Sequence, residues 1–373
     1  MKRIHLAAPA VNGREMAYVR AAFESNWLAP AGANLPAFEG RVAALCGRKE
    51  GVALASGTAA LHLSLRLAGV DNGDVVFCSA LTFVASANPI LYLGARPVFL
   101  DSAPGDWNLS PDALWRAFRQ YRPKAVVAVD LYGTPARLFE IEELCKRYGA
   151  ALVEDAAEAL GSELEGRPAG SFGESAALSF NGNKIVTTAG GGMLLTNDPE
   201  RAQKARFWAA QAKEPAKHYQ HRELGYNYRL SNVLAGIGLG QLETLGEFLE
   251  KKRRIRQVYE REFAGLPGVS LNPLPPNTRP NCWLTCLRID PKTGVRPEAV
   301  LRALEEENIE SRPVWKPMQL QPLYTGAPFF AHEEGKTPVS SALYAQGLCL
   351  PGDVKCTEAD LLRVAEGVKR CFL

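Results

Sequence analysis

The sequence predicts an α/β fold in which a mostly parallel sheet is covered by helices. Between residues 51 and 155, short apolar segments alternate with segments of helical periodicity, and glycine or proline separates many of them. Parallel strands need long crossover connections, and helices of about ten to fifteen residues supply them. The 373 residues are enough for one large domain of this kind and a smaller second one.

The predicted elements follow one another in a regular order. Apolar residues at helical spacing predict helices over 14–26 and 35–47 before a first strand at 51–55. Ser110 followed by a proline predicts a capped helix start. The alternation then predicts a helix at 59–70, a strand at 74–79, a helix at 83–95, a strand at 96–101, a helix at 110–120, a strand at 124–133, a helix at 137–149 and a strand at 151–155.

The organisation changes near residue 265. A strand at 190–198 is followed by helical patterns at 200–213 and 230–265, and prolines at 267, 273, 275, 276 and 280 then interrupt the periodicity. We predict a large domain at 1–265, which includes the N-terminal segment and glycine-containing helices suited to close packing against another helix or another subunit. A small α+β domain is predicted at 266–373, with a strand at 282–289 and helices at 296–309 and from Thr357.

Composition excludes several classes of protein. The net charge of +3 is too small for a nucleic-acid-binding surface. No window of about eighteen residues is uninterruptedly apolar, so we expect no membrane span, and the N-terminus lacks the apolar stretch of a secretory signal. Eight scattered cysteines and five histidines show no metal-ligand spacing. We therefore expect no metal, reduced thiols and a cytoplasmic location.

Two residues predict a site for pyridoxal phosphate. Lys184 ends the polar turn SFNGNK at 179–184, between an apolar segment and three glycines, and such a lysine can form a Schiff base with an aldehyde. Asp155 ends a predicted strand, where a carboxylate can pair with a protonated pyridine nitrogen and keep the ring an electron sink. Each also has a plain alternative: a surface lysine for Lys184, and for Asp155 a helix cap, with Glu158 completing a capping box.

Four further segments carry side chains suited to binding. The turn SGT at 56–58 lies between a strand and a helix, where backbone N–H groups bind anions, although a plain capping turn fits it too. Phe83 follows another strand end and can stack on a flat cofactor or belong to the core. The segments GYNYR at 225–229 and RPVWK at 312–316 are rich in hydrogen-bonding and aromatic groups. The alternative for GYNYR is an interface or helix-capping segment, and the alternative for RPVWK is a solvated loop.

Five longer motifs make the sequence resemble a known family. They are SGTAALHLSL, TFVASANPILYLGARPVFLD, LVEDAAEALGS, SFNGNK and GYNYRLSNVLAGIGLGQLE, in this order. The chain resembles the DegT/DnrJ/EryC1/StrS family of pyridoxal-phosphate-dependent nucleotide-sugar aminotransferases, which have the aspartate-aminotransferase fold (fold type I). The segments NGNKI, HYQHRELGYNYRLSN and RPVWKPM are most similar to the branch that aminates UDP-linked 4-keto-2-acetamido sugars in bacillosamine synthesis.

The resemblance implies roles for the matched residues. Lys184 would carry the cofactor as a Schiff base and move protons, Asp155 would pair with the pyridine nitrogen, and Phe83 would stack on the ring. Asn227 would reach the phosphate of the other subunit's cofactor, which implies a homodimer with shared active sites. The remaining predicted cofactor contacts are Ser56, Gly57, Thr58, Glu158, Ser179 and Asn181, and the predicted substrate contacts are Tyr228, Arg229, Arg312, Trp315 and Lys316.

The expected reaction is amino transfer from glutamate to a nucleotide-linked 4-keto-6-deoxy sugar, for protein glycosylation or surface polysaccharide synthesis. The expected substrate is UDP-2-acetamido-4-keto-2,4,6-trideoxyglucose. Two positions depart from the family pattern: Glu158 replaces a glutamine, and residues 189–192 read AGGG where many members have GEGG. The alternatives are a dehydratase or lyase of the same fold, which Lys184 disfavours, and a non-catalytic regulator that keeps the cofactor as a ligand, which the full set of site residues disfavours.

Overall fold

The computed structural model describes residues 2–372 and is built around an eight-stranded sheet. In chain order the strands are β1 (Glu50–Leu54), β2 (Val75–Ser79), β3 (Arg96–Leu100), β4 (Ala125–Val129), β5 (Ala151–Asp155), β6 (Glu163–Leu164), β7 (Arg167–Pro168), β8 (Ser175–Ser179), β9 (Gly192–Thr196), β10 (Val269–Leu271), β11 (Thr278–Arg279), β12 (Thr285–Ile289), β13 (Arg312–Pro313), β14 (Phe329–Phe330) and β15 (Gly347–Leu350).

The helices connect and cover these strands. They are α1 (Glu15–Glu24), α2 (Asn34–Leu45), α3 (Gly57–Leu67), α4 (Asn88–Tyr92), α5 (Pro111–Gln120), α6 (Leu138–Tyr148), α7 (Pro199–Ala209), α8 (Asn232–Leu242), α9 (Leu245–Phe263), α10 (Pro297–Glu306), α11 (Val339–Gln346) and α12 (Glu358–Lys369). Within residues 2–372, none of the helices combines the length and the apolar character of a membrane span.

The main sheet has the strand order β1-β9-β8-β5-β4-β2-β3-β14, and every strand in it except β9 runs in the same direction. The prediction of a mostly parallel sheet is confirmed. Neighbouring residues of one strand, such as Phe77 and Cys78, belong to different hydrophobic clusters, so both faces of the sheet are buried. Helices α3 and α7 cover one face, and α2, α5, α6 and α8 cover the other.

Two predicted helices differ from those observed. The segment 83–95 is a 3₁₀ turn at Val84–Ser86 followed by the short α4, because Pro89 lies in the first turn of α4 and cannot donate a hydrogen bond to a preceding turn. The segment 230–265 is two helices, α8 and α9. The Asn12 amide binds the Gly240 carbonyl at 2.9 Å and the Thr244 hydroxyl at 2.6 Å, which satisfies the end of α8 where the chain turns.

The C-terminal part forms a second sheet of order β10-β12-β15-β13, packed against α9, α10 and α12. Thr357 caps α12 in a capping box with Asp360, which agrees with the helix start predicted at this residue. Three strand or bridge pairings join this part to the rest within the described residues: β14 extends the main sheet beside β3, β11 pairs with β6 in a small sheet of order β11-β6-β7, and Ile4 pairs with Ile309. The division into domains at residue 265 stays a prediction.

Candidate active site

The carboxyl ends of the parallel strands open into a cavity of about 580 Å³. In open α/β sheets this edge is where ligands bind. The C-terminal part closes the cavity with residues that include Trp283, Leu284 and Cys349. The predicted site residues that line it are Ser56, Gly57, Thr58, Phe83, Asp155, Glu158, Ser179, Asn181, Lys184, Arg312 and Trp315.

Lys184 is enclosed within this cavity. Its side chain is 12% exposed, so the alternative of a surface lysine is wrong. Its Nζ lies 3.6 Å from Oε1 of Glu158 and 3.9 Å from the ring centroid of Trp283. Burial lowers the pKa of Lys184, while the carboxylates of Glu158 and Asp155 act in the opposite direction. The amine can therefore change its protonation state more readily than an exposed lysine.

Asp155 is the last residue of β5 and is buried. Its Oδ2 accepts a hydrogen bond from the Ser86 hydroxyl at 2.6 Å, and its Oδ1 accepts from the Ala157 N–H at 3.2 Å. Burial raises the pKa of Asp155, and the hydrogen bonds from Ser86 and Ala157 oppose that rise. Residues 156–162 form turns, so the alternatives of a helix cap and a capping box with Glu158 are wrong.

Glu158 lies beside Lys184 and is also buried. Its Oε2 accepts a hydrogen bond from the Tyr132 N–H at 2.6 Å. Burial raises the pKa of Glu158 to about 7, and the neighbouring Lys184 opposes the rise. A carboxyl group with such a pKa exchanges protons near neutral pH, which is a property of groups that act as general acids or bases.

The start of α3 forms a site suited to an anion. Ser56 caps the helix, with its hydroxyl accepting from the Ala59 N–H at 3.1 Å. The N–H groups of Gly57 and Thr58 begin the helix and have no intrahelical acceptor, so they can bind a phosphate. A Cβ on Gly57 would lie 3.0 Å from Cβ of Ser179, so the glycine allows the helix start to approach the end of β8 closely.

The aromatic side chains of Phe83, Trp283 and Trp315 form one wall of the cavity, and the buried Tyr132 packs behind it. The Phe83 ring lies 5.8 Å from that of Trp315, which lies 4.9 Å from Tyr132 and 6.3 Å from Trp283. Phe83 is 57% exposed, so the alternative of a core aromatic is wrong. The Trp315 N–H donates to the Tyr132 hydroxyl at 3.1 Å and fixes this wall to the end of β4. Such a wall can cover the faces of flat or sugar rings.

Four predicted site residues lie away from the cavity within one chain: Asn227, Tyr228, Arg229 and Lys316. The Arg229 guanidinium forms an ion pair with Glu39 at 2.8 Å. The Tyr228 hydroxyl lies 3.2 Å from Nδ1 of His62. Asn227 is exposed. Their binding roles stay predictions.

Sequence reasoning did not identify three residues of the site. Tyr132 follows the end of β4, so the rule that ligands bind at strand carboxyl ends could have found it. Ser86 lies inside the motif TFVASANPILYLGARPVFLD and could have been found from its hydroxyl. Trp283 has no local signal, because only the packing of the C-terminal part brings it to Lys184.

The chain matches a known protein family over nearly its whole length. The profile of the DegT/DnrJ/EryC1/StrS aminotransferase family matches residues 9–369. The chain belongs to this family. It is a sugar aminotransferase that uses pyridoxal phosphate. An anion-binding helix start, a buried carboxylate and a lysine in one cavity fit this cofactor.

Similar proteins match along the whole chain. EpsN of Bacillus subtilis, described as a pyridoxal phosphate-dependent aminotransferase, is 49% identical over 100% of this chain and 96% of its own. The GDP-perosamine synthase of Caulobacter vibrioides is 38% identical over 98% of this chain and 97% of its own. The structure of DesI with its TDP-sugar product has a TM-score of 0.90 and 29% identity, and the match covers 100% of this chain and 93% of DesI.

Proposed function

We propose that this enzyme transfers the amino group of glutamate to UDP-2-acetamido-4-keto-2,4,6-trideoxyglucose and forms the 4-amino sugar, for protein glycosylation or surface polysaccharide synthesis. The observation that carries the proposed amino transfer is the position of Lys184. Its amine lies 3.6 Å from Glu158 in a cavity that Asp155 also lines. Amino transfer through such a cofactor needs an amine that can move protons and a carboxylate for the ring nitrogen in one enclosed volume, and Lys184 and Asp155 supply them here.

The residues of the cavity have separate tasks in this proposal. The cofactor supplies an aldehyde and a ring that delocalises electrons when it is bound. The N–H groups of Gly57 and Thr58, with the Ser179 hydroxyl, hold its phosphate at the start of α3. Asp155 would hold a proton at the ring nitrogen. Lys184 would accept and return a proton at Nζ, and its burial keeps both protonation states accessible.

The nucleotide sugar occupies the outer part of the cavity. Arg312 lines it with a side chain that is 66% exposed, and a guanidinium there can bind the diphosphate. The rings of Phe83 and Trp315 cover apolar sugar or base surface, and Lys316, which does not line the cavity, stays a predicted contact of the diphosphate. Two of the relatives named above carry other nucleotides in their names or descriptions: GDP for the perosamine synthase and TDP for the product of DesI. The choice of UDP therefore rests on the segments NGNKI, HYQHRELGYNYRLSN and RPVWKPM.

A kinetic comparison tests the substrate. With glutamate as donor, kcat/KM is measured for the UDP-linked acetamido keto-sugar and for GDP- and dTDP-linked keto-sugars that lack the acetamido group. We expect the UDP substrate to be preferred by about 100-fold or more, because a site that hydrogen-bonds a group rejects analogues lacking it. Equal or better turnover of a GDP or dTDP substrate contradicts the UDP assignment and leaves the amino transfer intact.

A spectroscopic experiment separates amino transfer from its rivals. Glutamate should abolish the visible absorbance of the bound cofactor and release 2-oxoglutarate. Once the 2-oxoglutarate is removed, the keto-sugar should restore the absorbance. A regulator shows no such cycle, and a dehydratase releases a deoxygenated sugar that contains no nitrogen from glutamate. Lys184→Ala is the control, and we expect it to fold, to lack turnover and to lack the absorbance of the lysine-bound cofactor.

A further inference from the structure

Trp283 holds the lysine turn from the side of the C-terminal sheet. Its side chain is buried, and it lies just before β12. The indole Nε1–H donates to the carbonyl of Asn183 at 2.7 Å, and Asn183 directly precedes Lys184. The Lys184 N–H in turn donates to the Asn181 carbonyl at 3.0 Å. The indole therefore restrains the backbone beside the reactive amine.

The indole ring also covers the amine itself. Nζ of Lys184 lies 3.9 Å from the ring centroid, well within the distance of about 6 Å for cation–π attraction. The Glu158 carboxylate lies 3.6 Å from the same Nζ, and Asp155 is the other carboxylate whose charge acts on it. An ammonium group at Nζ is therefore held between an aromatic face and two acids. Together they favour the charged form of the amine, which burial disfavours.

Hydrogen bonds hold the backbone of Trp283 at both its N–H group and its carbonyl group. Its N–H donates to Oδ1 of Asn281 at 2.8 Å, and its carbonyl accepts from Nζ of Lys252 at 2.9 Å. Lys252 is a buried residue of α9 that also binds the Gly352 carbonyl. The amide of Asn281 donates to the Glu158 carbonyl at 2.7 Å. The indole is thus tied both to α9 and to the segment that carries Glu158.

The geometry points to Trp283 as a positioning residue for Lys184. Its indole N–H holds the turn at 179–184 that carries Lys184. Its ring stabilises the charged amine and limits the positions of Nζ. This role rests on the proposed function, since it takes Lys184 as the residue that moves protons. It acts through Lys184 and needs no contact with the sugar.

Two substitutions separate the effects of the N–H group and the ring. Trp283→Phe keeps an aromatic face and loses the hydrogen bond to Asn183, whereas Trp283→Leu loses both. In enzyme loaded with pyridoxamine phosphate the lysine amine is free, and its rate of acetylation by acetic anhydride at each pH, measured by peptide mass spectrometry, gives the titration midpoint of Lys184. We expect the midpoint to fall by about one pH unit in Trp283→Leu and to stay within a few tenths in Trp283→Phe.

Steady-state kinetics complete the test. We expect kcat to fall about tenfold in both variants, with the KM for the keto-sugar changed less than about twofold. Trp115→Phe on α5 is the matched control, because Trp115 is partly exposed and lies outside the cavity. Circular dichroism shows which variants fold, and Trp283→Met, which also lacks the ring and the N–H group, takes the place of the leucine variant if that variant does not fold.

Two outcomes overturn the inference. One is a native midpoint and a native kcat in folded Trp283 variants, and the other is a higher sugar KM with the midpoint of Lys184 unchanged, which would make Trp283 a substrate contact. The proposed function is checked separately. Borohydride reduction attaches the cofactor to its lysine in the native enzyme, and peptide mapping that identifies a lysine other than Lys184 refutes that assignment, whatever the Trp283 variants do.

Discussion

Three buried ionisable side chains dominate the cavity at the scale of single residues. Lys184, Asp155 and Glu158 are each removed from water, which disfavours their charged forms. Their mutual attraction opposes this effect, so the protonation of one depends on that of the others. Glu158, where the resemblance implies a glutamine in most family members, therefore adds beside the lysine a carboxyl group whose pKa is about 7.

Glu158→Gln tests this coupling through stability. An acid whose folded pKa is about 7, against an ordinary value of 4.5, binds more protons in the folded state between these pH values. Stability is therefore lost as pH rises from about 4.5 to 7. We expect Glu158→Gln to raise the Tm of the cofactor-free protein more at pH 8.5 than at pH 5.5, relative to the native chain. Glu250→Gln, at an exposed position of α9, is the control. An equal effect at both pH values contradicts the assignment.

Asp155→Asn tests the acid at the end of β5. An asparagine still accepts the Ser86 hydrogen bond, but it cannot keep a ring nitrogen protonated. We expect kcat/KM to fall by about three orders of magnitude, which corresponds to about 4 kcal/mol of barrier, with a modest loss of cofactor affinity. Kinetics and an absorbance titration of the cofactor measure the two quantities. Near-normal turnover would show that Asp155 has no catalytic role.

At the scale of elements, the site depends on the close packing of three chain segments against one another. They are the end of β1, the start of α3 and the start of β9. Gly192 begins β9, and a Cβ there would collide with the backbone of Ser56 and Gly57. Only glycine at 192 leaves space for the SGT turn at 56–58, whose N–H groups are suited to bind a phosphate. A strand that pairs antiparallel with both of its neighbours thus helps to form a site at the end of a parallel sheet.

Gly192→Ala should therefore damage the site through packing alone. We expect a loss of about 1–3 kcal/mol of stability, the usual cost of overpacking, and at least a tenfold weaker affinity for the cofactor. Urea unfolding and absorbance titration measure these effects. Gly190→Ala is the control for stability, because a Cβ at Gly190 has no atom within 4 Å. If the two variants unfold at the same urea concentration, the close approach is not what requires glycine.

At the scale of the whole molecule, the cavity is assembled from distant parts of the chain. Leu6 and Ala7 line it together with the main sheet and the C-terminal part. On and just after α1, the side chains of Met16, Phe23 and Trp27 are 59%, 60% and 56% exposed. A group of exposed apolar side chains is typical of an interface with another subunit. This surface supports the proposed homodimer, in which Asn227 acts on the partner's cavity.

Mixing two inactive variants tests the shared site. Lys184→Ala and Asn227→Ala subunits are combined after reversible dissociation. If Asn227 acts across the interface, each heterodimer has one site with both native residues and one with both defects. Random exchange then restores about a quarter of the native activity. Sedimentation and mass spectrometry confirm the exchange, and a fully exchanged mixture that stays as inactive as its parents excludes action in trans.

The sequence alone determined the features that depend on local patterns. Alternating apolar segments predicted the parallel sheet, because strand and helix periodicities are written in neighbouring residues. The turn at 179–184 and the acid at the end of β5 were recognisable for the same reason. The family followed from motifs that each lie within a short stretch of chain.

Only the tertiary structure decided what depends on contacts between distant residues. It paired Arg229 with Glu39, added β14 to the main sheet and placed the Trp283 ring over Lys184. It also raised the pKa of Glu158 to about 7, since that value results mainly from burial. Burial and long-range pairing depend on how whole elements pack, and no pattern of neighbouring residues specifies them.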